Sequence, residues 1–230
     1  MLLLYNRAEL ENYFKYEDLY RYLKLPGNDS IPQELALEIE KEVIDTYRLL
    51  ETEVFYREFP SFNIIDDGIL ISNVLINSYV LSKIASESVS VYVFILTIGK
   101  KIDMEIDEAT KNGWYFKAQV LDACGSVFVE AAADLFMNNI ERQLSVSDYA
   151  LSARYSPGYC DTSIEQQRGI FTLLSEENKS VTLTDSYQMI PQKSISGVFF
   201  KIHKRDAERF KRYYLFCREC KNRLCKYYDK

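Results

Sequence analysis

A chain of 230 residues with 47% hydrophobic and 27% charged side chains can bury a sizeable core, and with only 8 Gly and 5 Pro it is neither fibrous nor intrinsically disordered. A formal net charge of -6 argues against a dedicated nucleic-acid binder, which needs an excess of Lys and Arg on its docking face. The charge is unevenly divided: residues 204–230 hold ten Lys/Arg against four Asp/Glu, a net of +6, leaving -12 on the 203 residues before them.

The opening MLLLYNRAEL is too short an apolar run for a signal peptide, because Asn6 and Arg7 interrupt it. The most apolar stretch, VSVYVFILTIG, falls far below the roughly 18 residues needed to span a bilayer. A cytoplasmic protein without membrane attachment is therefore expected. Five cysteines (Cys124, Cys160, Cys217, Cys220 and Cys225) are an odd number, which in a reducing compartment points away from a disulfide framework and leaves metal ligation or plain burial.

In chain order, amphipathic patterns predict helices over 9–23 and 33–55, separated by the breakers and caps of LPGNDSIP. SFNIIDDGILISN then sets two β-branched runs around Asp67-Gly68, a hairpin signal. A short helix is expected over 78–85. SVYVFILTI follows, almost continuously apolar, as a central strand covered on both faces would be. The strongest helix is predicted over 114–142, with Val120, Leu121, Cys124, Val127, Phe128, Ala131 and Leu135 at three-to-four residue spacing. At ~100° per residue Glu130 lies about 60° beyond the edge of this stripe, a boundary position that a plain solvated carboxylate would also occupy. A loop, a short helix over 163–174, and two strands over 181–184 and 196–202 complete the pattern, with a tail predicted helical to about residue 217. Hairpins and helices without βαβ alternation give an α+β fold: a mainly antiparallel central sheet flanked by long helices. Its parts are a helical N-terminal region (1–60), a main domain (61–203) and a basic, Cys-containing tail (204–230).

Much familiar chemistry is missing. His203 is the only histidine and sits at a strand end in FKIHKRD, which disfavours a Ser-His-Asp triad or a histidine-rich zinc site. Neither GxGxxG nor GxxxxGK[ST] occurs. Such a chain suits chemistry that needs positioning and electrostatics rather than a proton shuttle.

One segment, ARYSPGYCDTSIEQQ, concentrates unusual residues. Arg154 offers a planar cationic fork for a carboxylate or phosphate, Gly158 permits close backbone approach, and Tyr159 adds an aromatic face. Together they can hold a small zwitterion, although an Arg beside a Pro-Gly turn is by itself common. The longer pattern is more specific. RYSPGYCDTSIEQQRGIFTLL followed by VTLTDSYQMIPQKSISGVFF resembles the S-adenosylmethionine-binding activation (reactivation) domain of vitamin B12-dependent methionine synthase, in its free-standing, single-domain form. VLDACGSVFVEAAADLF resembles that domain's long helix. The close resemblance spans about residues 90–202. It implies S-adenosylmethionine contacts from Arg154, from Tyr155 through its backbone, and from Gly158 and Tyr159, with Glu130 lining the same site. A family tyrosine beyond the last strand would fall near Ala207, where this chain has no counterpart.

The resemblance further implies reductive methylation: cob(II)alamin accepts an electron and is trapped as methylcobalamin by the methyl group of S-adenosylmethionine, with no catalytic acid or base. No D-x-H-x-x-G cobalamin-binding signature is present, so the corrinoid is expected on a separate polypeptide, a cobalamin-dependent methionine synthase or other corrinoid protein. The polar loop 187–196 would lie near its face. In the tail, Cys217, Cys220 and Cys225 are spaced as ligands of an iron-sulfur cluster or zinc, with Cys160 as a fourth, or are incidental thiols. A flavodoxin-like donor with an acidic surface would suit the basic tail. Two other classes stay open: a non-catalytic S-adenosylmethionine sensor, and a tail that binds nucleic acid.

Overall fold

The computed structural model describes residues 1–26 and 30–210. Its elements in order are β1 (Leu2–Tyr5), α1 (Arg7–Glu11), α2 (Tyr16–Tyr22), α3 (Gln33–Leu49), β2 (Thr52–Phe59), β3 (Asn63–Ile65), β4 (Gly68–Ile71), β5 (Val74–Asn77), α4 (Tyr79–Ala85), β6 (Ser88–Thr97), α5 (Lys101–Lys111), α6 (Tyr115–Gln143), β7 (Tyr149–Leu151), α7 (Gln167–Leu173), β8 (Thr182–Leu183), β9 (Met189–Ile190), β10 (Ser194–His203) and α8 (Ala207–Phe210). Five strands form an antiparallel sheet in the order β1-β2-β6-β10-β7, and β6 takes the centre that its apolar run predicts. The hairpin signal at Asp67-Gly68 becomes the β3-β4 turn of a small three-stranded sheet.

The sheet has a core on each face, which explains why β6 shows no polar alternation. Tyr92, Phe94 and Leu96 face α6 and the N-terminal helices, whereas Val91, Val93 and Ile95 face the small sheet, α4 and α7. The 29 residues of α6 span about 44 Å at 1.5 Å per residue and form the backbone of the first layer. Phe128 of this helix is wedged between Phe14 and Tyr47, at ring distances of 4.5 and 4.6 Å, so the N-terminal helices are seated on it.

Three sequence expectations are corrected. The helix predicted over 33–55 stops at Leu49; Leu50 turns extended, and 52–59 is strand β2, paired with β6. Val54, Phe55 and Tyr56 are all buried because cores lie on both faces, and such a consecutive apolar run reads equally well as the continuation of a helix. The helix predicted over 9–23 is two helices broken at Asn12, the first opened by a reciprocal cap between Asn6 and Glu9. The strand expected over 181–184 shrinks to β8, which pairs with β9 outside the main sheet. No helix among the described residues is long and apolar enough to cross a membrane.

On the α6 face the sheet carries a charged cluster. Glu58 accepts hydrogen bonds from Ser90 Oγ (2.5 Å), Tyr92 OH (2.8 Å) and Lys201 Nζ (3.0 Å). Burial opposes its ionisation, but the bonds from Ser90, Lys201 and Tyr92 outweigh burial and hold the carboxyl below the ordinary glutamate value. A depressed folded-state pKa contributes stability above the unfolded value that is lost as pH falls through the folded one. Melting curves between about pH 7 and 3 should therefore show an acid-side loss of stability that Glu58→Gln makes shallower. An unchanged acid limb in that variant would remove Glu58 from the account.

Candidate functional site

Glu130 and Asp134 stand one turn apart on α6 and so share a face. Opposite them the chain leaves β7 and runs back along β10 through Arg154. The Arg154 Nη2 donates to Glu130 Oε2 at 3.0 Å and to Asp134 Oδ1 at 3.1 Å. Lys15, immediately before α2, reaches Asp134 Oδ2 at 3.3 Å. Arg154 is only 14% exposed, against 53% for Glu130 and 38% for Asp134. Among the described residues its Nη1 and Nε have no protein partner.

Backbone pairing fixes this segment. Tyr155 N–H donates to Val198 O and Val198 N–H to Tyr155 O, each at 2.8 Å. Gly197 makes that approach feasible: a Cβ there would stand 2.5 Å from the Tyr155 carbonyl oxygen. The Tyr155 side chain is buried, and both its N–H and its carbonyl oxygen are engaged with Val198. Gly158 then turns the chain at φ +89, its N–H donating to Thr162 O at 2.8 Å. Asp161 pins the turn to the start of α4, 82 residues away in sequence. Its carboxylate accepts from Ser78 Oγ at 2.6 Å and from Tyr79 N–H at 2.7 Å, at the start of α4. Tyr159 is left 66% exposed at the apex.

The geometry thus brings Glu130 and Arg154 into contact and carries Gly158 and Tyr159 on the turn that follows. A cleft of about 250 Å³ opens beside Arg154, lined by Asp134, Met137, Glu141 and residues 151–153. A larger cleft of about 530 Å³ lies farther along α6, around Arg142, Tyr149 and Lys204. Neither is lined by Glu130, Gly158 or Tyr159, which stand on open surface. Tyr22, at the end of α2, belongs to the same neighbourhood: burial first, and then the Glu130 charge, push its hydroxyl pKa up. Sequence reasoning missed Asp134, Lys15, Asp161 and Tyr22. For Asp134 a signal existed, the i,i+4 relation to Glu130; for the others nothing local marked them.

The polar loop between β9 and β10 is fastened at its base to α5 and α6. Gln192 N–H donates to Asp103 at 2.7 Å, and Lys193 Nζ reaches Asp122 at 2.7 Å and Ser126 at 3.0 Å. Ile190, the last residue of β9, is 52% exposed. Cys124 is an interior thiol, its pKa pushed up to about 12 by burial against a hydrogen bond from Thr46. No cluster of three or more potential metal ligands occurs among the described residues. Cys217, Cys220 and Cys225 lie outside the described residues, as does the helix expected up to residue 217 beyond Phe210.

The profile of the family described as "Vitamin B12 dependent methionine synthase, activation domain" matches residues 72–227. Among solved structures the chain is similar to the crystal structure of the MetH reactivation domain bound to AdoHcy, with a TM-score of 0.72 at 17% identity over 89% of this chain and 78% of that one. No curated protein matches the chain.

Proposed function

Because the chain belongs to the family of activation domains of vitamin B12-dependent methionine synthase, we propose that it binds S-adenosylmethionine across Arg154 and Glu130. On this reading it serves, in the cytoplasm, the reductive methylation of cob(II)alamin held by a separate methionine synthase or related corrinoid protein. The observation that carries the reading is the Arg154–Glu130 pair, 24 residues apart in sequence and 3.0 Å apart in space.

The residues fit the amino-acid end of this ligand. The unpartnered Nη1 and Nε donors of Arg154 suit its carboxylate, and Glu130 suits its ammonium, so the zwitterion enters by exchanging partners within an existing ion pair. Gly158 lets the ligand approach the backbone closely and Tyr159 offers a ring beside it. When bound, the ligand supplies an already activated sulfonium methyl to a nucleophilic reduced corrinoid, and no proton has to move. The chain's own part is orientation: α6 is a rigid support, and the open surface around Tyr159 leaves room for a partner to cover the site and exclude water. A flavodoxin-like protein is the proposed electron donor.

Calorimetric titration tests the site. Arg154→Ala should weaken S-adenosylmethionine binding by about 1.5 to 3 kcal/mol, roughly 10- to 150-fold, the range for a charged hydrogen bond. Unchanged affinity would remove the carboxylate role of Arg154. Methyl-labelled S-adenosylmethionine separates transfer from sensing: label should appear on a reduced corrinoid protein, whereas a sensor would leave it on the ligand.

A further inference from the structure

Arg154 spends one nitrogen on two carboxylates, and the two are not equivalent. Glu130 is half exposed, has the longer and freer side chain, and among the described residues makes its one ion pair with Arg154. Asp134 is the less exposed of the two and is held from both ends, Oδ1 by Arg154 and Oδ2 by Lys15. A ligand that brings both a carboxylate and an ammonium therefore exchanges most easily with Glu130. Resting on the proposed S-adenosylmethionine site, we infer that Asp134, clamped by Lys15, is a positioning residue that keeps Arg154 aimed while Glu130 is released to the ligand ammonium.

Charge alone predicts the opposite sign for this residue. Asp134 is an anion close to where the ligand carboxylate must sit, so through-space repulsion would make its removal improve carboxylate binding. Positioning makes its removal harmful, because Arg154 then has only Glu130 to hold it and Glu130 is no longer free for the ligand. Lys15 joins the segment before α2 to α6 through the same carboxylate, so the N-terminal region takes part in aiming Arg154.

The test compares S-adenosylmethionine with its decarboxylated analogue, which keeps the sulfonium, ammonium and adenosine, by titration of the full chain. Asp134→Asn should reduce the preference for S-adenosylmethionine over the analogue by roughly tenfold, Asp134→Glu should restore most of it, and Lys15→Met should reduce it less. A preference that is unchanged or increased in Asp134→Asn overturns the inference, as does an equal loss for both ligands, the mark of a merely structural role. Should Asp134→Asn fail to fold, Lys15→Met carries the same comparison with both acids in place. If the unaltered chain binds no S-adenosylmethionine, the underlying reading fails and the inference falls with it, a result distinct from a wild type that binds and a variant that keeps its preference.

Discussion

Replacing Phe136 with alanine is expected to destabilise the chain by about 3 to 5 kcal/mol, the usual cost of emptying a buried phenylalanine site. Phe136 is fully buried on α6, where it packs against Tyr56 (5.1 Å), Phe94 (5.8 Å) and Phe199 (5.7 Å) of three different sheet strands. These rings key the long helix to the sheet. Because Phe136 lies two residues beyond Asp134 and six beyond Glu130, a loosened helix also shifts both acids relative to Arg154. Denaturant unfolding should show the loss, with Gln119→Ala, exposed on the same helix, staying within about 0.5 kcal/mol of the unaltered chain. A loss under about 1 kcal/mol for Phe136→Ala would mean that the aromatic cluster is not what seats α6.

Gly197→Ala should cost less stability, about 1 to 3 kcal/mol, but should abolish the site. The added methyl would stand 2.5 Å from the Tyr155 carbonyl oxygen, 3.1 Å from Ser156 Oγ and 3.2 Å from the Phe94 ring. The first of these is backbone, held by the reciprocal hydrogen bonds between Tyr155 and Val198. Relief therefore means lifting the segment that carries Arg154 and Gly158 away from β10. Gly125→Ala is the informative contrast. The atoms nearest its methyl would be those of the flexible Lys193 stem, at 2.9 to 3.0 Å, and that stem can move. Hydrogen exchange at Tyr155 and Val198 should accelerate in Gly197→Ala and stay slow in Gly125→Ala. Retained protection and retained ligand binding in Gly197→Ala would contradict the role assigned to this glycine.

How much of this is legible in the sequence depends on how far apart the interacting residues are. Helix α6, strand β6, the turn at Asp67-Gly68 and α4 are local patterns, and the periodicity or turn chemistry of each identifies it. Strand β2 escapes such a reading because burial on both faces erases the alternation that distinguishes a strand, and β1 is too short to carry a period. Helix α5 is absent from the expected elements although Ile102, Ile106 and Ala109 recur at helical spacing among acids. The site divides in the same way. The stripe on α6 places Glu130 at a boundary, and the RYSPGY segment stands out by composition. What joins them is the family resemblance, and the profile match over 72–227 bears that resemblance out. Lys15, Asp161 and Gly197 act across 119, 82 and 42 residues of chain, onto Asp134, Tyr79 and Tyr155, and no local signal carries such a pairing.

On the proposed function, S-adenosylmethionine enters the Arg154–Glu130 ion pair with its amino-acid end. A crystal structure of the full chain grown with S-adenosylmethionine tests it most directly. The expected result is the ligand carboxylate on Arg154, its ammonium on Glu130, Asp134 still bound to Arg154, and the turn at Gly158 and Tyr159 against the ligand. A ligand bound elsewhere, with the Arg154–Glu130 pair intact, would contradict it.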